Sequence, residues 1–369
     1  MDFMDLKAQQ ELIKTSLDRR ISKVLSHGKY IMGPEVKELE TKLSEYTGAK
    51  HVISCANGTD ALQLALMAID IKPGDEVITT PFTFIAAAET IALAGAVPVF
   101  VDIDPKTYLL DASRIEEAIT YKTRAIIPVS LYGQCADMKR INDIAEKYSL
   151  TVIEDAAQSF GATQHGKRSC NLSKLATTSF FPSKPLGCYG DGGAVFTSDG
   201  ELAEKISALR IHGQSKRYLH PWIGINSRLD TIQAAVLLTK LEIFDKEVEA
   251  REEIGARYSE ALADIVKVPF VAKENTSVYG QYTIAVSDRD DFRAYLQEKG
   301  VPTTVHYPKP IDQQPAFKEI CRVSTNKMSL KYSESVVSLP MHPYLTIADQ
   351  DSIIKATKEF HEKNIAALV

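Results

Sequence analysis

From residue 51 onwards, short apolar segments alternate with amphipathic segments, and this alternation leaves few folds open to the chain. The apolar segments predict strands at residues 51–55, 76–79, 97–101, 125–129 and 151–154. The segments between them have apolar residues at helical spacing and predict helices at 60–69, 84–93, 113–119 and 137–148. Alternating strands and helices imply an α/β fold, with a mainly parallel sheet covered by helices on both faces. Ligands bind such a sheet beyond the carboxyl ends of its strands.

The chain of 369 residues exceeds one ordinary domain, and we expect a large domain over residues 1–265 and a smaller C-terminal α+β domain over residues 266–369. The large domain has further predicted helices at 6–27, after Gly33-Pro34, at 199–213 and at 228–265, and strands at 176–181 and 193–197. A loop rich in Pro and Gly, residues 182–192, separates these two strands. The small domain has predicted strands at 282–286 and 303–305 and helices at 290–299 and 347–362.

Composition and charge narrow the class of protein. The net charge of -5 argues against general nucleic-acid binding, which needs a dense basic face. The sequence has no long apolar run typical of a transmembrane helix, and its first residues do not resemble a signal peptide. The five cysteines are scattered and form no CxxC pair, so neither a zinc site nor a disulfide framework is indicated. We therefore expect a cytoplasmic protein with reduced thiols and no metal.

Three polar groups lie where a ligand of such a sheet would bind. Asp155 ends an apolar strand, Lys184 lies in the Pro/Gly loop, and Asn57-Gly58-Thr59 joins the first strand to its helix. Taken singly, each has an ordinary explanation, as a helix cap or a solvated side chain. Together they supply what a pyridoxal 5′-phosphate (PLP) enzyme needs. Such an enzyme binds the cofactor aldehyde with a lysine, the pyridine nitrogen with a carboxylate, and the phosphate with backbone amides at a helix N-terminus.

The motifs around these residues also resemble a known family. Segments 54–62 (SCANGTDAL), 154–159 (EDAAQS) and 179–184 (SFFPSK) are similar to those of the sugar aminotransferases of the DegT/DnrJ/EryC1/StrS family, and the resemblance extends over essentially the whole chain. It implies the fold-type-I aminotransferase fold. It also implies a homodimer whose active sites are shared between the two subunits.

The resemblance implies a role for each of several residues. Lys184 matches the lysine that binds PLP, and Asp155 matches the partner of the pyridinium nitrogen. The other implied cofactor contacts are Gly58, Thr59 and Ser179 at the phosphate, Gln158 beside the ring, and Asn226 reaching the phosphate from the other subunit. Phe84 is a candidate for a ring stacked on the cofactor, with a core aromatic residue as the alternative. Some relatives that remove a hydroxyl group have histidine in place of the lysine. The retained Lys184 therefore favours transamination, with pyridoxamine 5′-phosphate (PMP) as the intermediate form of the cofactor.

Further motifs are similar to one branch of the family. They occupy residues 129–137, 166–173, 187–193, 226–230 and 338–344. This branch moves an amino group from L-glutamate to C3 of a UDP-linked 2-acetamido-3-oxo-glucuronic acid, for bacterial surface polysaccharide such as O-antigen. Arg228 is a candidate clamp for the substrate carboxylate, and an interface ion pair is the alternative. His306 and Tyr307 are candidate sugar contacts, and an ordinary loop histidine is the alternative for the first.

Other functions stay open at this point. The nearest alternative is amination of a different nucleotide-linked keto-sugar, such as a 4-keto-6-deoxyhexose, which lacks the carboxylate. A PLP-binding regulatory protein is an alternative of another class, although such proteins usually carry an added DNA-binding domain. A general nucleotide-binding α/β protein would need a glycine-rich fingerprint after the first strand, and Asn57-Gly58-Thr59 does not match one.

Overall fold

The structure is a computed structural model that describes the backbone of residues 1–368 and the side chains of residues 1–363. Its strands, in chain order, are β1 (His51–Cys55), β2 (Glu76–Thr79), β3 (Val97–Phe100), β4 (Thr123–Ile126), β5 (Thr151–Asp155), β6 (Thr163–Gln164), β7 (Lys167–Arg168), β8 (Leu175–Ser179), β9 (Gly193–Thr197), β10 (Tyr282–Ala285), β11 (Arg322–Val323) and β12 (Val336–Leu339).

The largest sheet has eight strands in the order β1-β9-β8-β5-β4-β2-β3-β11. Only β9 runs antiparallel to its two neighbours, and the other pairs are parallel. The expected mainly parallel sheet is therefore confirmed. Each of the predicted strands between residues 51 and 197 forms a strand of this sheet. Its last strand, β11, is an addition from the C-terminal part of the chain, which the sequence did not indicate.

The helices, in chain order, are α1 (Leu6–His27), α2 (Pro34–Thr47), α3 (Gly58–Ala68), α4 (Ala86–Leu93), α5 (Ile115–Ala118), α6 (Met138–Lys147), α7 (Gly200–Leu209), α8 (Thr231–Leu241), α9 (Phe244–Leu262), α10 (Arg289–Glu298), α11 (Lys327–Ser335) and α12 (Ile347–Leu368). Local sequence sets several of their ends. Asn57 and Asp137 accept backbone N–H groups at the starts of α3 and α6, and α1 and α2 end at glycines with left-handed backbone, Gly28 and Gly48. Among the described residues, no helix is both long and apolar enough to span a lipid bilayer.

Helices cover both faces of the sheet because successive strand residues point to opposite sides. In β1, Val52 joins a core with α1, α2 and α8, whereas Ile53 joins a core with α3, α4 and α7. In β9, Phe196 and Val195 divide between the same two cores. Both faces of the strands that carry the site are thus buried, which holds their carboxyl ends in place.

Two details differ from the predictions. The single helix predicted at 228–265 is two helices, because the chain turns at Glu242 and Ile243 and α9 then continues towards the C-terminal part of the chain. The strand predicted at 303–305 is reduced to an isolated bridge between Thr304 and Ser338. Prolines at 302, 308 and 310 surround this bridge, and a proline has no N–H to extend a ladder of hydrogen bonds.

The C-terminal part of the chain has a core of its own, which we call the C-terminal core. Its largest members are Tyr258, Tyr282, Phe292, Leu339 and Ile353. Tyr258 lies in α9, and β11 pairs with β3 in the large sheet, so elements on both sides of residue 265 share cores. The division of the chain at residues 265 and 266 stays a prediction.

Candidate active site

The register of the large sheet brings three sequence-distant segments to one place. Cys55 at the end of β1 and Ser179 at the end of β8 both pair with Gly193 at the start of β9. Asp155 ends β5 beside β8, in register with Thr177. The helix that follows β1, the loop that follows β8 and the end of β5 therefore meet at the carboxyl edge of the sheet. This is the edge at which the α/β rule places a ligand.

Gly58 and Ser179 form a close approach at this edge. A Cβ atom built on Gly58 would lie 2.6 Å from the Cβ atom of Ser179, so no larger residue fits at position 58 without movement. Asn57 caps α3, because its Oδ1 accepts the backbone N–H of Asp60 at 2.7 Å. The N–H groups of Gly58 and Thr59 donate to no acceptor in the described part of the chain. They are thus available to an anion at the positive end of the helix.

Asp155 and Lys184 form an acid–base pair at the same edge. Asp155 is 7% exposed, and its Oδ1 accepts the backbone N–H of Ala157 at 3.0 Å. Burial raises the pKa of Asp155, while the Ala157 amide and the charge of Lys184 oppose this rise. Burial lowers the pKa of Lys184, and the negative charge of Asp155 opposes that fall. The two side chains are close enough for each to stabilise the charged form of the other.

Gln158 is held between two tyrosines. Its Oε1 accepts the backbone N–H of Tyr132 at 3.0 Å, and its Nε2 donates to the hydroxyl of Tyr307 at 3.4 Å. Tyr132 has a left-handed backbone, with φ of 62°, and its own hydroxyl donates to the carbonyl of His306. The site thus includes Tyr132, which the sequence did not single out, because a positive φ at a tyrosine has no local sequence signal.

His306 and Tyr307 reach the site from the C-terminal part of the chain. The Nδ1 atom of His306 lies 2.8 Å from the hydroxyl of Ser338. Burial lowers the pKa of His306 to about 4, with a smaller effect in the same direction from Lys184, so its imidazole is neutral at pH 7. Tyr307 contacts Gln158, and the positive charge of Lys184 also acts on His306. The structure therefore brings both predicted sugar contacts to the side of Lys184.

Four aromatic rings line this side of the site. Ring centroids are 6.2 Å apart for Phe84 and Tyr307, 5.6 Å for Tyr307 and His306, and 6.4 Å for His306 and Phe3. Phe84 is 55% exposed, so its alternative interpretation as a core residue is wrong. It precedes α4, which begins at Ala86. Stacking of Phe84 on a cofactor stays a prediction.

Asn226 and Arg228 flank Ser227, whose hydroxyl accepts the backbone N–H of Ala56 at 3.2 Å. They contact each other, with Arg228 Nη2 donating to Asn226 Oδ1 at 2.5 Å. Within the residues that the structure describes, neither has a hydrogen bond to Asp155, Gln158 or Lys184, and Arg228 has no ion pair. A role for either residue in a site shared with a second subunit stays a prediction. In the preceding basic stretch, Arg210 is buried and pairs with Glu40 at 2.6 Å, so it stabilises the fold.

Comparison with known proteins agrees with this geometry. The family model described as the DegT/DnrJ/EryC1/StrS aminotransferase family matches residues 11–358. The chain is 57% identical, over 94% of its length and 97% of the relative, to the UDP-2-acetamido-2-deoxy-3-oxo-D-glucuronate aminotransferase of Pseudomonas aeruginosa.

Two solved structures have the same fold. A DegT DnrJ EryC1 StrS aminotransferase from Brucella abortus superimposes with a TM-score of 0.96 at 48% identity, covering 98% of this chain and 99% of that one. NtdA from Bacillus subtilis, solved with bound cofactor PMP, gives a TM-score of 0.89 at 32% identity, covering 95% of this chain and 82% of that one. The expected aminotransferase fold is therefore confirmed.

Proposed function

The chain belongs to the DegT/DnrJ/EryC1/StrS aminotransferase family, and we propose that it uses PLP to move an amino group from L-glutamate to C3 of a UDP-linked 2-acetamido-3-oxo-glucuronic acid. It is a sugar aminotransferase. The observation that carries the choice of sugar is the 57% identity to the Pseudomonas aeruginosa enzyme, which covers 97% of that relative. The half-buried Lys184 beside the buried Asp155 carries the choice of cofactor.

The residues at the sheet edge fit PLP. The N–H groups of Gly58 and Thr59 have no acceptor among the residues that the structure describes, and the missing Cβ of Gly58 lets the start of α3 approach Ser179. This arrangement suits the phosphate, with the Ser179 hydroxyl as a further donor. Asp155 has one carboxylate oxygen that accepts no hydrogen bond from the described residues, and this oxygen suits the pyridinium nitrogen. When bound, PLP accepts electron density from the substrate carbon that loses its proton.

The chain's own residues supply the acid and the base. Lys184 has a pKa lowered by burial, so more of its amine is neutral near pH 7 than in water. A neutral amine is the form that attacks an aldehyde or accepts a proton from a substrate carbon. Burial raises the pKa of Asp155, and the Ala157 amide and the Lys184 charge oppose this rise. In its ionised form the carboxylate would keep the ring nitrogen protonated. Lys184 then serves both half-reactions, first as the base and later as the acid.

We propose that a second copy of the chain supplies part of the substrate-binding side of the site. One site must accept a small diacid and a nucleotide-sugar in turn, and both carry a carboxylate. Arg228 has a guanidinium group without an acidic partner in the described residues, so it is available to bind that carboxylate in two-point fashion. Among the described residues of one chain, neither Arg228 nor Asn226 has a hydrogen bond to Lys184, and we propose that both serve the site of a partner subunit. Neutral His306 and the hydroxyl of Tyr307 would then contact the sugar from the same chain as Lys184.

An absorbance experiment tests the cofactor and the amino donor. The purified protein is incubated with PLP, freed of excess cofactor, and scanned between 300 and 500 nm. We expect a band in the violet that is lost when L-glutamate is added, with 2-oxoglutarate formed in equal amount. The variant Lys184→Ala should bind PLP without forming that band. A protein that never develops the band after incubation with PLP would refute the cofactor assignment.

A second experiment tests the sugar. The glutamate-treated enzyme is mixed with the UDP-linked 3-oxo sugar acid, with the matched UDP-linked 3-oxo sugar that has CH₂OH in place of the carboxylate, and with a nucleotide-linked 4-keto-6-deoxyhexose. We expect kcat/KM for the acid to exceed that of each of the others by about a hundredfold, since a site built for a buried polar group discriminates strongly against a substrate without it. Equal or better amination of the 4-keto-6-deoxyhexose, measured by mass spectrometry, would replace the proposed substrate by the alternative.

A further inference from the structure

Lys240 is a buried lysine that the proposed reaction does not use. It lies in α8, is 1% exposed, and its ammonium group makes no hydrogen bond with any described residue. Its Nζ atom instead lies 4.3 Å from the centre of the Tyr189 ring. Burying an ammonium group is costly unless its surroundings compensate. The position of Lys240 therefore calls for a reason beyond filling space, which a methionine or leucine would do at lower cost.

Tyr189 lies in the loop that carries Lys184, and α8 holds it at two points. The backbone N–H of Tyr189 donates to Gln233 Oε1 at 2.9 Å, and Gln233 Nε2 donates to the carbonyl of Tyr189 at 3.2 Å. Lys240 follows Gln233 by seven residues, so both project from the same face of α8. Gln233 thus fixes the backbone of Tyr189, and Lys240 contacts its ring.

This attachment adds to the packing of Leu186 and Cys188, which are buried in the core beside α8. The N–H of Lys184 donates to the carbonyl of Phe181 at 2.9 Å, and the N–H of Cys188 donates to the carbonyl of Phe180 at 2.8 Å. These are short-range bonds that fix the turn of the loop, whereas its position on the protein comes from contacts with other elements. Tyr189 follows Lys184 by five residues and joins the turn to a helix of the core. The position of the Lys184 amine is therefore set in part by α8.

We propose that Lys240 is a positioning residue, which holds the Lys184 loop against α8 through a buried cation–π contact with Tyr189. A desolvated cation–π contact is worth a factor of roughly ten to thirty in an equilibrium constant. The role of Lys184 as base and acid rests on the proposed function, whereas the attachment of the loop does not. Since Lys184 serves both half-reactions, loosening its loop should slow both by a similar factor.

The negative charge of Glu247 acts on the buried Lys240 without forming an ion pair with it among the described residues. Glu247 of α9 is 5% exposed and accepts a hydrogen bond from Gln9 Nε2 at 2.7 Å and another from Tyr344. Its negative charge opposes the effect of burial on the pKa of Lys240, which falls to about 8. Glu247 also faces Arg251, whose positive charge remains when Lys240 is replaced. Glu247 therefore compensates part of the cost of the buried ammonium group, and its charge also acts on the Tyr189 hydroxyl.

The test measures loop protection and kinetics in three variants. Lys240→Met removes the charge and keeps the approximate length of the side chain. Tyr189→Leu removes the ring and keeps the lysine. Lys246→Met makes the same substitution at an exposed lysine of α9, as the matched control. Hydrogen exchange is followed at residues 182–192 in the full chain without cofactor, and single-turnover rates are measured in the protein loaded with PLP.

We expect Lys240→Met and Tyr189→Leu to raise the exchange rate at residues 182–192 about tenfold, the equivalent of about 1.4 kcal/mol. Exchange in α7 should stay as in the wild type, and so should exchange throughout Lys246→Met. In the protein loaded with PLP, the maximal single-turnover rates of the glutamate and sugar half-reactions should both fall about tenfold. The substrate concentration that gives half of the maximal rate should stay within twofold of the wild-type value. Unequal effects on the two half-reactions would contradict a shared positioning role.

The double variant Lys240→Met/Glu247→Gln separates positioning from charge balance. It removes the carboxylate that Lys240→Met leaves less compensated, so it should recover thermal stability. If exchange in residues 182–192 also recovers, Lys240 acts only by neutralising Glu247, and the inference is wrong. The inference also fails if Lys240→Met folds and keeps wild-type exchange in this loop. Hydrogen exchange is measured without cofactor, so its outcome does not depend on catalysis. If the wild-type protein aminates no sugar, the proposed function is refuted, and the exchange data still test the contact between Lys240 and Tyr189.

Discussion

Replacing Glu154 by glutamine should make the stability of the protein less dependent on pH. Glu154 precedes Asp155 in β5 and is fully buried. Its carboxylate accepts hydrogen bonds from the hydroxyl of Ser169 at 2.7 Å and the N–H of Cys170 at 3.1 Å. Burial raises the pKa of Glu154 from 4.5 to about 7, against the opposing effect of these donors. The neutral carboxyl is therefore favoured in the folded chain, and the ionised one in the unfolded chain.

The sign and size follow from linkage. Between pH 4.5 and pH 7, the folded protein holds a proton on Glu154 that the unfolded chain has lost, so stability falls as the pH rises through this range. Each pKa unit is worth about 1.4 kcal/mol, so the full loss is about 3 kcal/mol and is nearly complete by pH 8. Glutamine stays neutral at every pH and can keep one acceptor for Ser169 or Cys170. The free energy of unfolding of Glu154→Gln, minus that of the wild type, should therefore rise by about 2–3 kcal/mol from pH 5 to pH 8.

The assay is urea unfolding followed by far-UV circular dichroism at pH 5, 6, 7 and 8, at one protein concentration and without cofactor. Taking the difference between variant and wild type cancels other titrating groups, including His306, whose lowered pKa has the opposite effect on stability below pH 6.5. Glu204→Gln changes an exposed glutamate of α7 and serves as the control, with a difference that stays constant across this range. A constant difference for Glu154→Gln as well would show that its carboxyl keeps one protonation state, and the reasoning from burial would be refuted.

Three further predictions concern the proposed active site. Asp155→Asn should lower kcat by about a hundredfold to a thousandfold while PLP still binds, because the amide cannot keep the ring nitrogen protonated. A kcat within tenfold of the wild-type value would refute the role assigned to Asp155. Gly58→Ala should weaken PLP binding about tenfold to a hundredfold, because the new Cβ would lie 2.6 Å from that of Ser179. Absorbance titration measures this against Gly200→Ala, whose new Cβ meets only His51 Nε2 at an ordinary contact distance of 3.9 Å. Arg228→Ala should raise the half-saturating concentrations of L-glutamate and of the UDP-sugar acid about tenfold or more each, because both carboxylates lose a two-point contact; an effect on the sugar half-reaction alone would show that the clamp is not shared.

The local chemistry of the site was readable from the sequence. Asp155 at the end of an apolar strand, Asn57-Gly58 before a helix, and Lys184 in a Pro/Gly loop each follow from patterns within a few residues. Such patterns act through backbone conformation and neighbouring hydrogen bonds, so they are visible without the fold. The same holds for the alternation of strands and helices from residue 51 and for the family motifs around these residues. Together they gave the fold class, the cofactor and the roles proposed for these residues.

Only the tertiary structure decided which of these segments meet and what supports them. The register that pairs both Cys55 and Ser179 with Gly193 sets the approach of Gly58 to Ser179. Tyr132 contacts Gln158 and also His306, which lies 174 residues further along the chain, and Lys240 reaches Tyr189 from another element. These contacts arise from packing between elements, and packing leaves no local pattern at either end. A lysine in a helix reads as solvated from its sequence alone, and only the fold shows that Lys240 is buried against the loop that carries Lys184.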